Sequence, residues 1–191
     1  MASNFSFTEL RIPGCYLVHN FCAEDTRGRF LKLYHKDTFS SEGLSLEFKE
    51  LFYTVSRRGT LRGIHFQEPR QQSKLIHCIK GRIYDLVVDL RKEVPTFGQW
   101  QFVLLDAAEG SSVFLPEGVG HAYLVVEDSV VCYCCNEVFY AEDDSGIMWN
   151  DPDLNIQWPL DEIGGEDRLI LSDKDRNLQS FRRWKEKWQI D

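Results

Sequence analysis

The stretch that decides the fold is Lys74-Leu75-Ile76-His77-Cys78-Ile79-Lys80-Gly81-Arg82-Ile83-Tyr84-Asp85-Leu86-Val87-Val88-Asp89-Leu90. It holds two apolar runs, Lys74 to Ile79 and Arg82 to Leu90, parted by Lys80-Gly81. β-Branched and aromatic side chains suit the pleated, half-buried surface of a strand. A glycine at the break accepts the positive φ that tight hairpin turns require. The segment therefore predicts two strands with a hairpin at Lys80-Gly81. The same rhythm extends outward through Arg29 to Tyr34, Thr60 to Phe66, Trp100 to Leu105, Ser112 to Leu115 and Ala122 to Val126. Turn residues recur at roughly ten-residue intervals between these runs, the spacing of an all-β domain. One short helix is expected over Asp37 to Gly43. After Gly146 the pattern becomes loop-like, and Lys174 to Lys187 carries aromatics and charges at helical spacing. These features predict a mainly β, double-sheet jelly roll forming a single domain over residues 1–191, with a helical cap at about 160–191.

Composition narrows the function. The chain has 191 residues, 43% of them hydrophobic, and a formal net charge of −8. That supports a substantial core and disfavours a nucleic-acid binder, which needs a basic surface. An anionic ligand must therefore meet a local cluster of cations. No apolar run approaches the ~20 residues of a membrane span, and Met1 to Leu10 lacks the features of a secretory signal, so the expected location is the cytoplasm. Six cysteines are present. Cys132, Cys134 and Cys135 crowd one strand, where mutual bridging is geometrically poor, so reduced thiols are expected. They lack a second Cys or His pair at zinc-ligand spacing.

Polar residues isolated inside apolar strands are the candidates for chemistry: Arg62, His65, Lys74, Asp85, Asp89, His121 and Tyr133. Histidine carries protons near neutral pH, tyrosine can protonate a carbanion, and lysine can stabilise an enolate oxygen. Together they suit proton abstraction next to a carbonyl. The alternative is that each group is satisfied separately within a β sandwich. Strand alternation sets a test, because Arg62 and His65 lie on opposite faces of a regular strand and share a cavity only if Gly63 kinks it. Metal-binding jelly rolls often carry a His-x-His pair with a nearby Glu. Gly63-Ile64-His65-Phe66-Gln67 has one histidine and no such carboxylate, so no metal is expected.

Longer motifs carry a resemblance. Gly59-Thr60-Leu61-Arg62-Gly63-Ile64-His65-Phe66-Gln67 is followed by Lys74-Leu75, Asp89-Leu90-Arg91-Lys92 and Pro95-Thr96-Phe97-Gly98. Pro116-Glu117-Gly118, His121 and Gly146-Ile147-Met148-Trp149-Asn150-Asp151-Pro152 complete the order. From about Arg27 to Asp175 the chain resembles the dTDP-4-dehydrorhamnose 3,5-epimerase family of cupin-type sugar-nucleotide epimerases. The resemblance implies epimerisation at C3, C5 or both of a nucleoside-diphosphate 4-keto-6-deoxy sugar, with no cofactor. It implies His65 as general base, Tyr133 as general acid, Lys74 near the C4 oxygen and Asp175 as the carboxylate orienting the histidine. It assigns Arg27 and Arg62 to the phosphates, His121 to the pocket, and Asp144 and Lys174 to further ligand-lining positions. It further implies a homodimer whose N-terminal strand, about 5–18, lies in the interface.

Departures from the family pattern concern recognition. Glu50-Leu51-Phe52 stands where the dTDP-rhamnose enzymes carry a Gln-x-Asn pair. Arg27-Gly28-Arg29-Phe30-Leu31-Lys32 has a lysine in place of a glutamate. Phe139 aligns with a family tyrosine that the adjacent Tyr140 could replace if the loop shifts. The nucleotide, the sugar and the inverted carbon therefore stay open. Two other activities fit the same fold, a keto isomerase on similar substrates and a non-catalytic sugar-nucleotide-binding cupin.

Overall fold

The computed structural model describes residues 2–44 and 46–189. The chain opens with β1 (Ala2–Ser3), β2 (Ser6–Glu9), β3 (Tyr16–His19), β4 (Phe21–Asp25) and β5 (Gly28–Lys32), then α1 (Lys36–Ser41). The body follows as β6 (Glu50–Ser56), β7 (Leu61–Gln67), β8 (Lys74–Asp89), β9 (Trp100–Asp106), β10 (Ser111–Leu115), β11 (Val119–Cys135) and β12 (Asp144–Gly146). Two 3-10 turns, Leu160–Ile163 and Glu166–Arg168, lead to α2 (Asp173–Arg176) and α3 (Phe181–Lys187). β1, β4 and β5 make a small sheet. The large sheet runs β12-β7-β11-β8-β10-β3-β2, with β6 added to β11 and β9 to β8, and all pairings are antiparallel.

The hairpin expected at Lys80-Gly81 is corrected, because β8 runs straight through it. Both apolar runs pair with the same strand: Leu75 to Cys78 face Cys134 to Val131, and Ile83 to Asp89 face Val125 to Val119. A chain that finds one partner for both halves has no reason to reverse. The glycine is used differently, with φ +76 where β11 slips register, and a Cβ there would lie 2.4 Å from the Asp128 carbonyl oxygen. It bends the strand at a bulge.

The N-terminal stretch 5–18 is also not one strand. It turns at Ile12–Cys15, where the Cys15 N–H donates to the Ile12 carbonyl (3.1 Å) and the Leu10 N–H to that of Cys15 (2.8 Å). β2 and β3 consequently pair with each other, and β3 adds to β10 of the same chain. The expected helix near Asp37 begins one residue earlier and buries Phe39. The helical spacing over Lys174 to Lys187 resolves into two helices, because Gln179 leaves the helix to bridge Ile147, its carbonyl accepting from the Met148 N–H (2.9 Å).

Apolar side chains divide between the sheet's two faces. Ile76, Ile83, Val87, Val113 and Val131 fill the inside with Tyr123 and Tyr133. Ile64, Leu86, Val88, Phe181 and Trp184 form a second layer that seats the C-terminal cap. Each fully buried aliphatic side chain contributes ~1.5–3 kcal/mol. Docking the cap also brings α2 against β7. Among the described residues no helix is long and apolar enough to cross a membrane.

Candidate active site

Gly63 supplies the kink that Arg62 and His65 need. On β7 the step from Arg62 to His65 spans three residues, while their partners on β11, Tyr123 and His121, are two apart. One residue of β7 is extra, a bulge that turns both side chains to one face. The glycine has φ +113, and a Cβ on it would lie 2.5 Å from the Ala122 Cβ and from the His121 carbonyl oxygen. No other residue fits.

Arg62 and His65 open on a cavity of about 230 Å³ that Lys74, His121, Tyr133, Asp144 and Lys174 also line. Asp175 lies just behind it. As the third residue of α2 it reaches β7, where His65 Nε2–H donates to its Oδ1 (2.5 Å). The Ser172 hydroxyl donates to Oδ2 (2.7 Å). Burial pushes the Asp175 carboxyl up, but His65, Ser172 and the Gly63 backbone outweigh it and hold the group below its usual range. An ionised acceptor fixes the proton on Nε2 and leaves Nδ1 as an acceptor.

Lys74 begins β8 opposite Cys135 and Leu115 and is nearly inaccessible, so burial lowers its ammonium pKa. Tyr133 faces the cavity from β11 and is 6% exposed. Burial first, then Tyr123 and the charge of Asp85, raise its phenol well above the usual value. Its ring stacks on Phe52, the residue directly opposite on β6, with centroids 4.8 Å apart and planes 8° from parallel. Such a group is a proton donor rather than a base.

His121 is held by a second carboxylate, its Nε2–H donating to Asp85 Oδ2 (2.7 Å). Both are buried, and burial raises the Asp85 carboxyl. Lys174 is ion-paired to Asp144 at the cavity rim. Arg62 Nε donates to Ser56 Oγ (3.1 Å). Arg27 stands apart: it lies at the tip of the β4–β5 hairpin, its side chain 88% exposed and paired with Asp25 (2.5 Å), and it does not line the cavity of its own chain.

Five lining residues escaped the sequence reading of roles: Thr54, Phe66, Gln67, Gln72 and Tyr123. The signal for Thr54 was period-two alternation on β6, which puts Glu50, Phe52, Thr54 and Ser56 on one face. Phe139 does line the cavity. Tyr140 does not take its place, because its ring lies under the Arg70 guanidinium at 3.3 Å. Among the described residues no group of three or more His, Cys, Asp or Glu side chains is placed to hold a metal ion.

The chain resembles known proteins along most of its length. The family model described as dTDP-4-dehydrorhamnose 3,5-epimerase matches residues 9–183. The protein of that name from Methanothermobacter thermautotrophicus is 39% identical over 181 residues, covering 94% of this chain and 96% of its own. A dTDP-4-dehydrorhamnose 3-epimerase from Streptomyces niveus is 38% identical over 171 residues, covering 86% of this chain and 83% of its own. The solved structure of a Mycobacterium tuberculosis epimerase superposes with a TM-score of 0.91 at 34% identity, covering 97% of this chain and 92% of that one. The mainly β, cupin-type architecture expected from the sequence is the fold these proteins share.

Proposed function

The chain belongs to the dTDP-4-dehydrorhamnose 3,5-epimerase family, and on that premise we propose that it epimerises a nucleoside-diphosphate 4-keto-6-deoxy sugar at C3, C5 or both. The observation that carries the proposal is the His65–Asp175 couple, which opens on a cavity holding a buried lysine and a buried tyrosine. His65 Nδ1 removes a hydrogen made acidic by the neighbouring ketone. Lys74 bonds the C4 oxygen as negative charge develops there; its ammonium in a dry site stabilises an enolate more than it would in water. Tyr133 then protonates the carbon from the other face, which inverts it. Arg62 binds the diphosphate with its guanidinium fork. His121, Asp144 and Lys174 contact the sugar around the reacting centre. The whole chain acts as one domain in the cytoplasm.

Arg27 enters through assembly. The hairpin that carries it is exposed and lies away from the cavity of its own chain, so we read the protein as a homodimer in which Arg27 serves its partner's diphosphate. Relatives named both 3,5-epimerase and 3-epimerase match at similar identity, so the number of inverted carbons is left to measurement.

The test is product analysis. Purified protein is incubated with 4-keto-6-deoxyglucose on thymidine, cytidine or guanosine diphosphate, and proton couplings report the configuration at C3 and C5. Inversion on one nucleotide supports the reading. Tight binding with the sugar unchanged on all three would replace it with a binding module.

A further inference from the structure

An epimerase with two different acid–base groups ends each turnover in the wrong protonation state. His65 holds the proton it took, and Tyr133 lacks the one it gave. This inference rests on the epimerase reading. His65 is 30% exposed and can pass its proton to water. Tyr133 is buried, with one ring face covered by Phe52, and a phenolate there is costly. It therefore calls for a proton source close beside it.

Tyr123 lines the same cavity beside Tyr133 on β11, its ring centroid 6.5 Å from that of Tyr133. Tyr123 is 1% exposed, two positions from His121 on β11, with an otherwise apolar setting in the inner core. Its hydroxyl lies 2.9 Å from Thr54 Oγ1 and 3.4 Å from Ser56 Oγ. Thr54 is half-buried and lines the cavity. Ser56 Oγ already accepts from Arg62 Nε. A buried phenol surrounded by core residues gains nothing from a hydroxyl unless that hydroxyl is bonded, and here its partners lead back to the cavity.

We propose that Tyr123 and Thr54 form a hydroxyl relay that returns a proton from cavity water to Tyr133 after each inversion. The Tyr133 phenolate takes the Tyr123 proton, Tyr123 takes that of Thr54 Oγ1, and Thr54 takes one from water. The proton released by His65 neutralises the hydroxide left behind. O–H bonds broken and formed are equal in number, and no redox partner is involved. Ser56 keeps the Tyr123 oxygen aligned by linking it to Arg62.

Tyr123→Phe removes one oxygen and keeps the ring that fills the core. The expected result is a fall in kcat of about 100-fold at unchanged KM, the lower end of what a positioned proton donor contributes. A burst of one inverted sugar per site should precede the slow steady state, and added imidazole buffer should restore most of the rate. Deuterium wash-in at the carbon His65 addresses should persist, because that half-reaction does not use Tyr133. Thr54→Val should give the same burst and buffer response. An unchanged kcat, or a loss that shows no burst and ignores buffer, overturns the relay while leaving the epimerase intact. Absence of deuterium wash-in with the unmodified protein would overturn the relay together with the epimerase reading.

Discussion

Asp175 decides which nitrogen of His65 meets the substrate. Replacing it with asparagine keeps the volume but removes the charge that fixes the proton on Nε2, so Asp175→Asn should lower kcat about 100-fold or more. The group also stabilises the fold in a pH-dependent way. Its folded pKa is depressed, so its contribution is full above the unfolded value of ~3.9 and is lost as pH falls through the lower folded value. In urea titrations the stability gap between the unmodified protein and Asp175→Asn should be widest near neutrality and close below about pH 4. A gap independent of pH would show that the carboxylate is not ionised against His65. Lys74 has the opposite balance. Its charge is penalised by burial, so the folded pKa is lowered and stability rises with pH between that value and the unfolded ~10.4. Lys74→Met should therefore abolish turnover while raising the thermal midpoint by about 2–4 °C, the effect of roughly 1 kcal/mol in a domain this size. A lower midpoint would mean the ammonium is better satisfied than its surroundings indicate. At this scale the sequence was informative in part. Of the polar residues stranded in apolar runs, Arg62, His65, Lys74, His121 and Tyr133 line the cavity and Asp85 holds His121, whereas Asp89 accepts from Arg91 and Thr96 away from it. What it hid were hydroxyls such as Thr54 and Tyr123, whose side chains suit a strand whether or not they face a cavity.

Elements turn those residues toward each other, and one glycine is central to it. Gly63 lets β7 carry an extra residue, and without it Arg62 and His65 face opposite ways. Gly63→Ala should cost about 2 kcal/mol or more, from a positive φ and a Cβ pressed on Ala122, and should lose activity even where the protein still folds. Circular dichroism melts with kcat measured at low temperature separate the two effects. Unchanged activity at full stability would mean the bulge can form without glycine. The need for this kink was legible from alternation alone. Gly81 was misread, because a glycine between apolar runs fits a hairpin and a bulge equally; only the shared partner strand β11 distinguishes them. The long helical spacing after Lys174 failed for a related reason, since Gln179 gains more by bridging Ile147 than by staying in a helix.

As a whole the molecule leaves an apolar edge uncovered. Leu51, Tyr53 and Val55 stand exposed along β6, and Phe30 stands on the hairpin that carries Arg27. An exposed apolar edge strand invites pairing, which fits the proposed homodimer of 22.3 kDa chains. Light scattering should give twice that mass, and Tyr53→Lys with Val55→Asp should shift it to one chain and cut activity. Arg27→Ala should leave the thermal midpoint unchanged, since the side chain is solvated, yet raise KM by about tenfold if it binds the partner's diphosphate. An unchanged KM would remove Arg27 from the site. On the proposed homodimer no single-chain pattern could place this residue, because its target would lie on another copy.

Deuterium wash-in tests the central claim most directly. Protein in heavy water with the turned-over 4-keto sugar nucleotide should place deuterium at C3, C5 or both, and His65→Asn should abolish it. Wash-in that survives His65→Asn, or none with the unmodified protein while the sugar nucleotide is bound, would contradict the assignment of His65 as the base.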